Sequence, residues 1–209
     1  MNIIEKLQWR YATKKFDANL YVSEDKLNTL KEAFNLTATS YGLQPIKLVI
    51  INDKKLQSSL VEHSMNQAQI GQASHVLVFC VETNINKNYI ETYFNRIKKI
   101  RNTPDAILNP FREYLINDFK DKTKNNIKDW ATKQAYLALG NMLTVCAIED
   151  VDACPMEGFD PKQYDAILNL KEQGLQSVLV LPIGYRAKDD MFAELKKVRK
   201  TVGESTYEL

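Results

Sequence analysis

The sequence predicts an α+β fold in one domain. Three observations carry this. Apolar β-branched runs are few and short, stretches of helical periodicity separate them, and no Gly/Ser linker, internal repeat or low-complexity segment divides residues 1–209. Taken in order, Ile3, Ile4 and Leu7 mark a short amphipathic helix. Ser23, followed by acids and by Leu27, Leu30, Ala33 and Phe34, marks a capped second helix. Ile46–Ile51 reads as a strand and Val76–Val81 as another, with helical patterns around Lys54–Glu62 and Asn66–Ala73 between them. Asn88–Lys128 is charged and aromatic and reads as surface helices. Trp130–Ile148 is apolar nearly all round, so it predicts a central buried helix, with the surface around Tyr136, Leu139 and Leu143 available to a second subunit. Asp160 followed by Pro161 is an N-cap and first-turn signature. Val178–Ile183 predicts a third buried strand, Lys188–Lys200 a helix or loop, and Gly203–Leu209 a short terminal strand.

Composition narrows the function classes. The net charge is only +2, which gives no global attraction to nucleic acid or to a membrane surface. The longest apolar run, Val76–Val81, is too short to span a bilayer, and the N-terminus lacks the apolar stretch of a signal peptide. Three cysteines without paired spacing argue against a disulfide framework, and a cytoplasmic location is expected. There is no G-x-G, no G-x-S-x-G and no metal-binding spacing. His75 reads as a structural histidine, Cys80 and Cys146 as inert core residues, and Asp150 and Asp152 as a solvated helix end.

Four segments stand out. Arg10-Tyr11-Ala12-Thr13-Lys14-Lys15-Phe16-Asp17 sets cations beside a helix end and an aromatic anchor. Thr37–Pro45 is a hydroxyl-rich loop leading into a strand. Cys154-Pro155-Met156-Glu157-Gly158-Phe159-Asp160 is a turn able to point backbone amides outward. Leu195–Lys200 is a second cation cluster. Each alone reads as a turn or a solvated charge run. Together, cations at both ends of the chain and two donor-bearing loops suit a phosphorylated planar cofactor, because Arg offers a bidentate phosphate contact and Lys a point charge.

The order of these features resembles the FMN-dependent nitroreductases, especially the branch of oxygen-insensitive NAD(P)H nitroreductase and dihydropteridine reductase. The carrying residues are Arg10-x-x-Thr13-Lys14-x-Phe16-Asp17, Gln44-Pro45, Ala73-Ser74-His75-Val76, Lys133-Gln134-x-Tyr136-Leu137-x-x-Gly140-Asn141, Pro155-x-Glu157-Gly158-Phe159-Asp160 and Lys197-x-Arg199. The resemblance implies a three-layer sandwich, a central mixed but mainly antiparallel sheet flanked by helices, in an intertwined homodimer with FMN at the interface. It implies that Arg10, Lys197 and Arg199 hold the phosphate, with Tyr11 and Ala12 beside them. Two residues carry catalytic roles: Lys14 stabilises negative charge near flavin N1 and O2, and the Glu157 amide faces N5. Asn66 and Gln69 lie at the flavin edge, Pro155, Met156 and Gly158 shape the pocket, Thr39, Ser40 and Gln134 come from the other subunit, and Gly42 is a further cofactor-binding position. NADH or NADPH serves as co-substrate, and the partner is a small electron-poor acceptor (nitroaromatic, quinone or pteridine) reduced in a ping-pong cycle.

The chain departs from the family pattern at Tyr11-Ala12, at Thr37-Ala38-Thr39-Ser40, at Gly42, at Ile46, and at Gln69 where a Lys is usual. These departures bear on flavin affinity and on the choice between NADH and NADPH. They keep a rival reading open, a flavin-sequestering protein of the same fold without turnover. A cofactor-free helical interaction protein is a third.

Overall fold

The computed structural model describes residues 2–209. Its elements are α1 (Ile3–Trp9), α2 (Glu24–Asn35), β1 (Ile46–Ile51), α3 (Lys54–Ser59), α4 (Gln69–Gln72), β2 (His75–Glu82), α5 (Lys87–Arg101), α6 (Asp105–Asp121), α7 (Lys124–Ile148), β3 (Asp152–Ala153), α8 (Pro161–Ile167), β4 (Leu175–Gly184) and α9 (Val202–Ser205). The sheet order is β1-β2-β4-β3 and every neighbouring pair is antiparallel. The mixed character is confined, among the described residues, to one parallel bridge between Ala12 and Ala153.

Strand alternation explains the layers. Leu77, Phe79 and Val81 of β2 point into one core, with Leu179, Leu181 and Ile183 of β4, Leu27 and Leu30 of α2, and Ala135, Ala138 and Met142 of α7. Val76, Val78 and Cys80 point the other way, into a core closed by Leu60, Ile70, Tyr164 of α8 and Leu170. Both faces of β2 are therefore buried, which is why it reads as an unbroken apolar run rather than an alternating one. Each large side chain fully buried there contributes about 1.5–3 kcal/mol.

Local signals set the ends of the elements. Ser23, Thr123 and Asp160 each accept a backbone N–H at the start of α2, α7 and α8, as N-caps do. Helix α7 starts six residues earlier than its apolar pattern, at the Thr123 cap. Its Ala131, Ala135 and Ala138 let it lie close to the core, whereas Tyr136 and Leu137 are 44% and 55% exposed. The helix is thus enclosed on one side only, and Leu139, expected at a subunit surface, is buried within its own chain.

Two expectations fail. Gly203–Leu209 forms no strand. Thr201 and Glu204 make a reciprocal capping box that winds Val202–Ser205 into a helical turn, and the last residues, including Thr206-Tyr207-Glu208, run on without pairing. Asp152 is no solvated helix end: it is 4% exposed, lies in β3 and takes Arg186 through both carboxylate oxygens at 2.6–3.1 Å. The two-residue β3 carried too little pattern to be visible in the sequence. Asp150 does behave as foreseen, exposed and paired with Lys6.

Candidate functional site

The N-terminal segment after α1 is laid against the end of β4. Asp17 donates its N–H to the Tyr185 carbonyl at 2.8 Å, Ala187 donates to the Lys15 carbonyl at 2.9 Å, and Phe16 bridges Arg186. Arg186, held by Asp152, sits between the rings of Trp9 and Tyr11 at 4.4 and 4.6 Å. This packing brings Arg10, Tyr11, Ala12, Lys14, Pro155, Lys197 and Arg199 to the wall of one cleft of ≈ 390 Å³, with Phe192 and Leu195.

The cleft is strongly electropositive. Lys197 Nζ donates to the Arg10 carbonyl. Arg10, Lys14, Lys197 and Arg199 form no ion pair among the described residues, whereas nearby Lys15 and Arg186 are paired with Asp189 and Asp152. Burial and the charge of Arg199 depress the Arg10 pKa, and burial with Arg10, Arg199 and Arg186 depresses that of Lys197. A bound anion would relieve the cost that Arg10 and Lys197 carry as charged groups.

The Pro155–Asp160 turn forms the adjoining wall. Met156 exchanges two backbone hydrogen bonds with Val180, at 2.8 and 3.0 Å, so the turn is fixed to β4. The Glu157 and Gly158 amides that follow have no acceptor among the described residues. Gly158 is closely approached: a Cβ would stand 3.1 Å from Gln67 Nε2 and 3.2 Å from Met65 Sδ, so those side chains would have to shift. Asn66 follows Met65 through two left-handed residues (φ 56° and 54°) and makes no side-chain hydrogen bond among the described residues. Cys154 links the parts, with Lys14 Nζ 3.8 Å and Gln69 Nε2 4.0 Å from its sulfur. Burial raises the Cys154 thiol pKa, with Lys14 pulling the other way. Gln69 is 5% exposed and its amide also donates to Gln67 Oε1, so it is a buried, tied side chain rather than a partly exposed edge residue.

Thr39, Ser40, Gly42 and Gln134 form a second group that shares no hydrogen bond with the first. Gln134, 5% exposed on α7, accepts from the Ser40 amide at 2.8 Å, and Thr39 Oγ1 accepts from the Gln44 amide at 3.0 Å. His75 behaves as a structural residue, 7% exposed with Nδ1 2.8 Å from Ser74 Oγ. Burial pushes Cys80 and Cys146 up to about 12, so both thiols stay protonated at neutral pH.

Residues 7–185 match the model of the Nitroreductase family. The chain belongs to that family. Over 203 residues it is 30% identical to a Staphylococcus epidermidis protein provisionally named an NAD(P)H nitroreductase, covering 93% of this chain and 92% of that one. A Bacillus subtilis structure, likewise provisionally titled a nitroreductase, superposes with a TM-score of 0.87 at 19% identity, covering 99% of this chain and 98% of that one. An Exiguobacterium sibiricum structure of the same provisional title, in complex with FMN, gives 0.85 at 16% identity over 100% of this chain and 98% of that one. The nitroreductase fold is therefore shared across its full described length, and no helix among the described residues is long and apolar enough to cross a membrane.

Sequence reasoning missed Asp190 and Gln67 as parts of this region, and named Cys154 and Tyr136 without giving their side chains a contact in it. Tyr136 Oη donates to Glu157 Oε1 at 2.6 Å, joining α7 to the turn, and this hydrogen bond raises the tyrosine pKa. The available signal was the Tyr136 hydroxyl, on a helix read for its apolar pattern and for Gln134.

Proposed function

We propose that the protein is an FMN-dependent NAD(P)H oxidoreductase that reduces a small electron-poor acceptor (a nitroaromatic, quinone or pteridine) in a two-step cycle, as a cytoplasmic homodimer. The single observation that carries this is the set of unpaired cations, Arg10, Lys14, Lys197 and Arg199, gathered in one cleft with Pro155, which opens a turn whose Glu157 and Gly158 amides have no acceptor among the described residues. The residues fit FMN. Arg10, Lys197 and Arg199 would hold the phosphate, Lys14 would place a cation where reduced flavin is anionic, and the Glu157 amide would donate to the flavin edge. FMN held there would supply the redox chemistry for hydride transfer between NAD(P)H and the acceptor.

The protein's own part is binding and orientation. The bridge between Met156 and Val180 fixes the start of the turn, and Gly158 lets Gln67 and Met65 pack closely against it. Lys14 is not neutralised by a carboxylate, so its charge remains available to the ligand. Asn66 offers a free amide side chain, and Pro155 lines the cleft. The half formed by Thr39, Ser40, Gly42 and Gln134 is assigned to the flavin of the partner subunit. The exposed Tyr136 and Leu137 on α7 and the exposed Ile3, Ile4 and Leu7 on α1 support a large subunit interface. Three free, buried thiols suit a reducing compartment.

Initial-rate kinetics test the cycle. With NADH or NADPH varied at several quinone concentrations, double-reciprocal plots should be parallel, because the nicotinamide product leaves before the acceptor enters the same cavity. Intersecting lines would contradict this order.

A further inference from the structure

Asp190 is a fully engaged carboxylate near the cleft, yet it touches none of the cation heads. It lies just beyond β4, is 5% exposed, and caps the single turn Met191–Glu194. Its Oδ2 accepts from Tyr11 Oη at 2.8 Å and from the Lys14 and Lys15 amides at 3.0 and 3.2 Å, while Oδ1 accepts from the Phe192 amide at 3.1 Å. Burial acts to raise its pKa, but the Tyr11 hydroxyl and the amides of Lys14, Lys15 and Phe192 outweigh it and hold the carboxyl below its ordinary value.

These bonds join two stretches of chain. One carries Arg10 and Lys14; the other leads to Lys197 and Arg199. Beyond Leu195 the second stretch has no regular structure until α9, so its position depends on where it is anchored. Neighbouring Asp189 is exposed and spends its charge on the Lys15 head. Asp190 instead spends its charge on backbone donors and a hydroxyl, which fixes the backbone without neutralising any cation that faces the cleft.

We propose that Asp190 is a positioning residue that sets the spacing of Arg10 and Lys14 against Lys197 and Arg199, and so determines selectivity for a phosphorylated flavin over riboflavin. This rests on the FMN reading above. A neutral amide at position 190 cannot accept from Tyr11, two amides and Phe192 with equal strength, because one of its two terminal atoms becomes a donor.

The test is fluorescence titration of the full chain with FMN and with riboflavin, for wild type, Asp190→Asn, Tyr11→Phe and Asp189→Asn, alongside thermal melts. Asp190→Asn should lose FMN affinity by about tenfold or more and riboflavin affinity by no more than about threefold, as expected when charge-assisted contacts to phosphate are misaligned. Tyr11→Phe should shift the ratio in the same direction by less, and Asp189→Asn should leave it unchanged. A variant at 190 that keeps the wild-type ratio, or weakens both ligands equally, overturns the inference. If Asp190→Asn does not fold, an unchanged ratio in Tyr11→Phe overturns it instead. Wild type that binds no FMN overturns the functional reading itself, a result distinct from an unchanged ratio.

Discussion

Arg10 is half-buried beside Arg199 and Lys197, so its charge is costly unless an anion arrives. Arg10→Ala should weaken FMN binding by about 1.5–3 kcal/mol, the scale of a charge-assisted hydrogen bond to phosphate. Arg101→Ala, on an exposed turn of α5, should leave it unchanged, and calorimetric titration reads both. His75 gives a pH prediction. Burial, then Lys54, holds its pKa below the ordinary 6.5. The unfolded chain then binds more protons than the folded one between the two values, so stability is full above pH 6.5 and falls as the pH drops towards the folded value. Melting temperature should decline between pH 7 and about pH 5.5, where carboxylates are still ionised, and less so in His75→Asn. An equal decline in both proteins would remove His75 as the cause. At this scale the cations were legible in the sequence because charge type is written in the residue. The Asp152–Arg186 pair and the Asp190 anchor were not, because partners 34 and 176–179 residues apart meet only through the sheet.

The strands and the long helix were visible as apolar runs, since β1, β2, β4 and α7 each bury enough surface to show a pattern. The elements that differed are short. A four-residue helix near the C-terminus rests on one Thr-x-x-Glu capping box, a signal that the expected Gly203–Leu209 strand did not use. The Thr39–Gln44 loop depends on unusual backbone. Gly42 has φ +72°, and a Cβ there would lie 2.6 Å from the Tyr93 hydroxyl. Gly42→Ala should therefore destabilise the protein by about 1–3 kcal/mol, the cost of holding a side-chain-bearing residue in the left-handed region. Thermal unfolding measures it, and an unshifted midpoint would mean that the loop relaxes freely.

The proposed shared site and the exposed apolar face of α7 both call for a second subunit. Leu137, 55% exposed and flanked by Tyr136 and Gly140, is the natural place to break a subunit contact. Leu137→Glu should shift sedimentation at low micromolar concentration towards monomer and lower flavin occupancy with it. A folded, flavin-loaded monomer of the wild type would contradict the shared site. The central claim is more direct still, that the cation cleft takes FMN and that the bound flavin turns over. Purified protein reconstituted with FMN should show a flavin absorbance band equivalent to about one FMN per chain, and anaerobic NADH or NADPH should bleach it. No FMN uptake would contradict the account, and bound flavin that neither nucleotide bleaches would assign the protein to flavin sequestration instead.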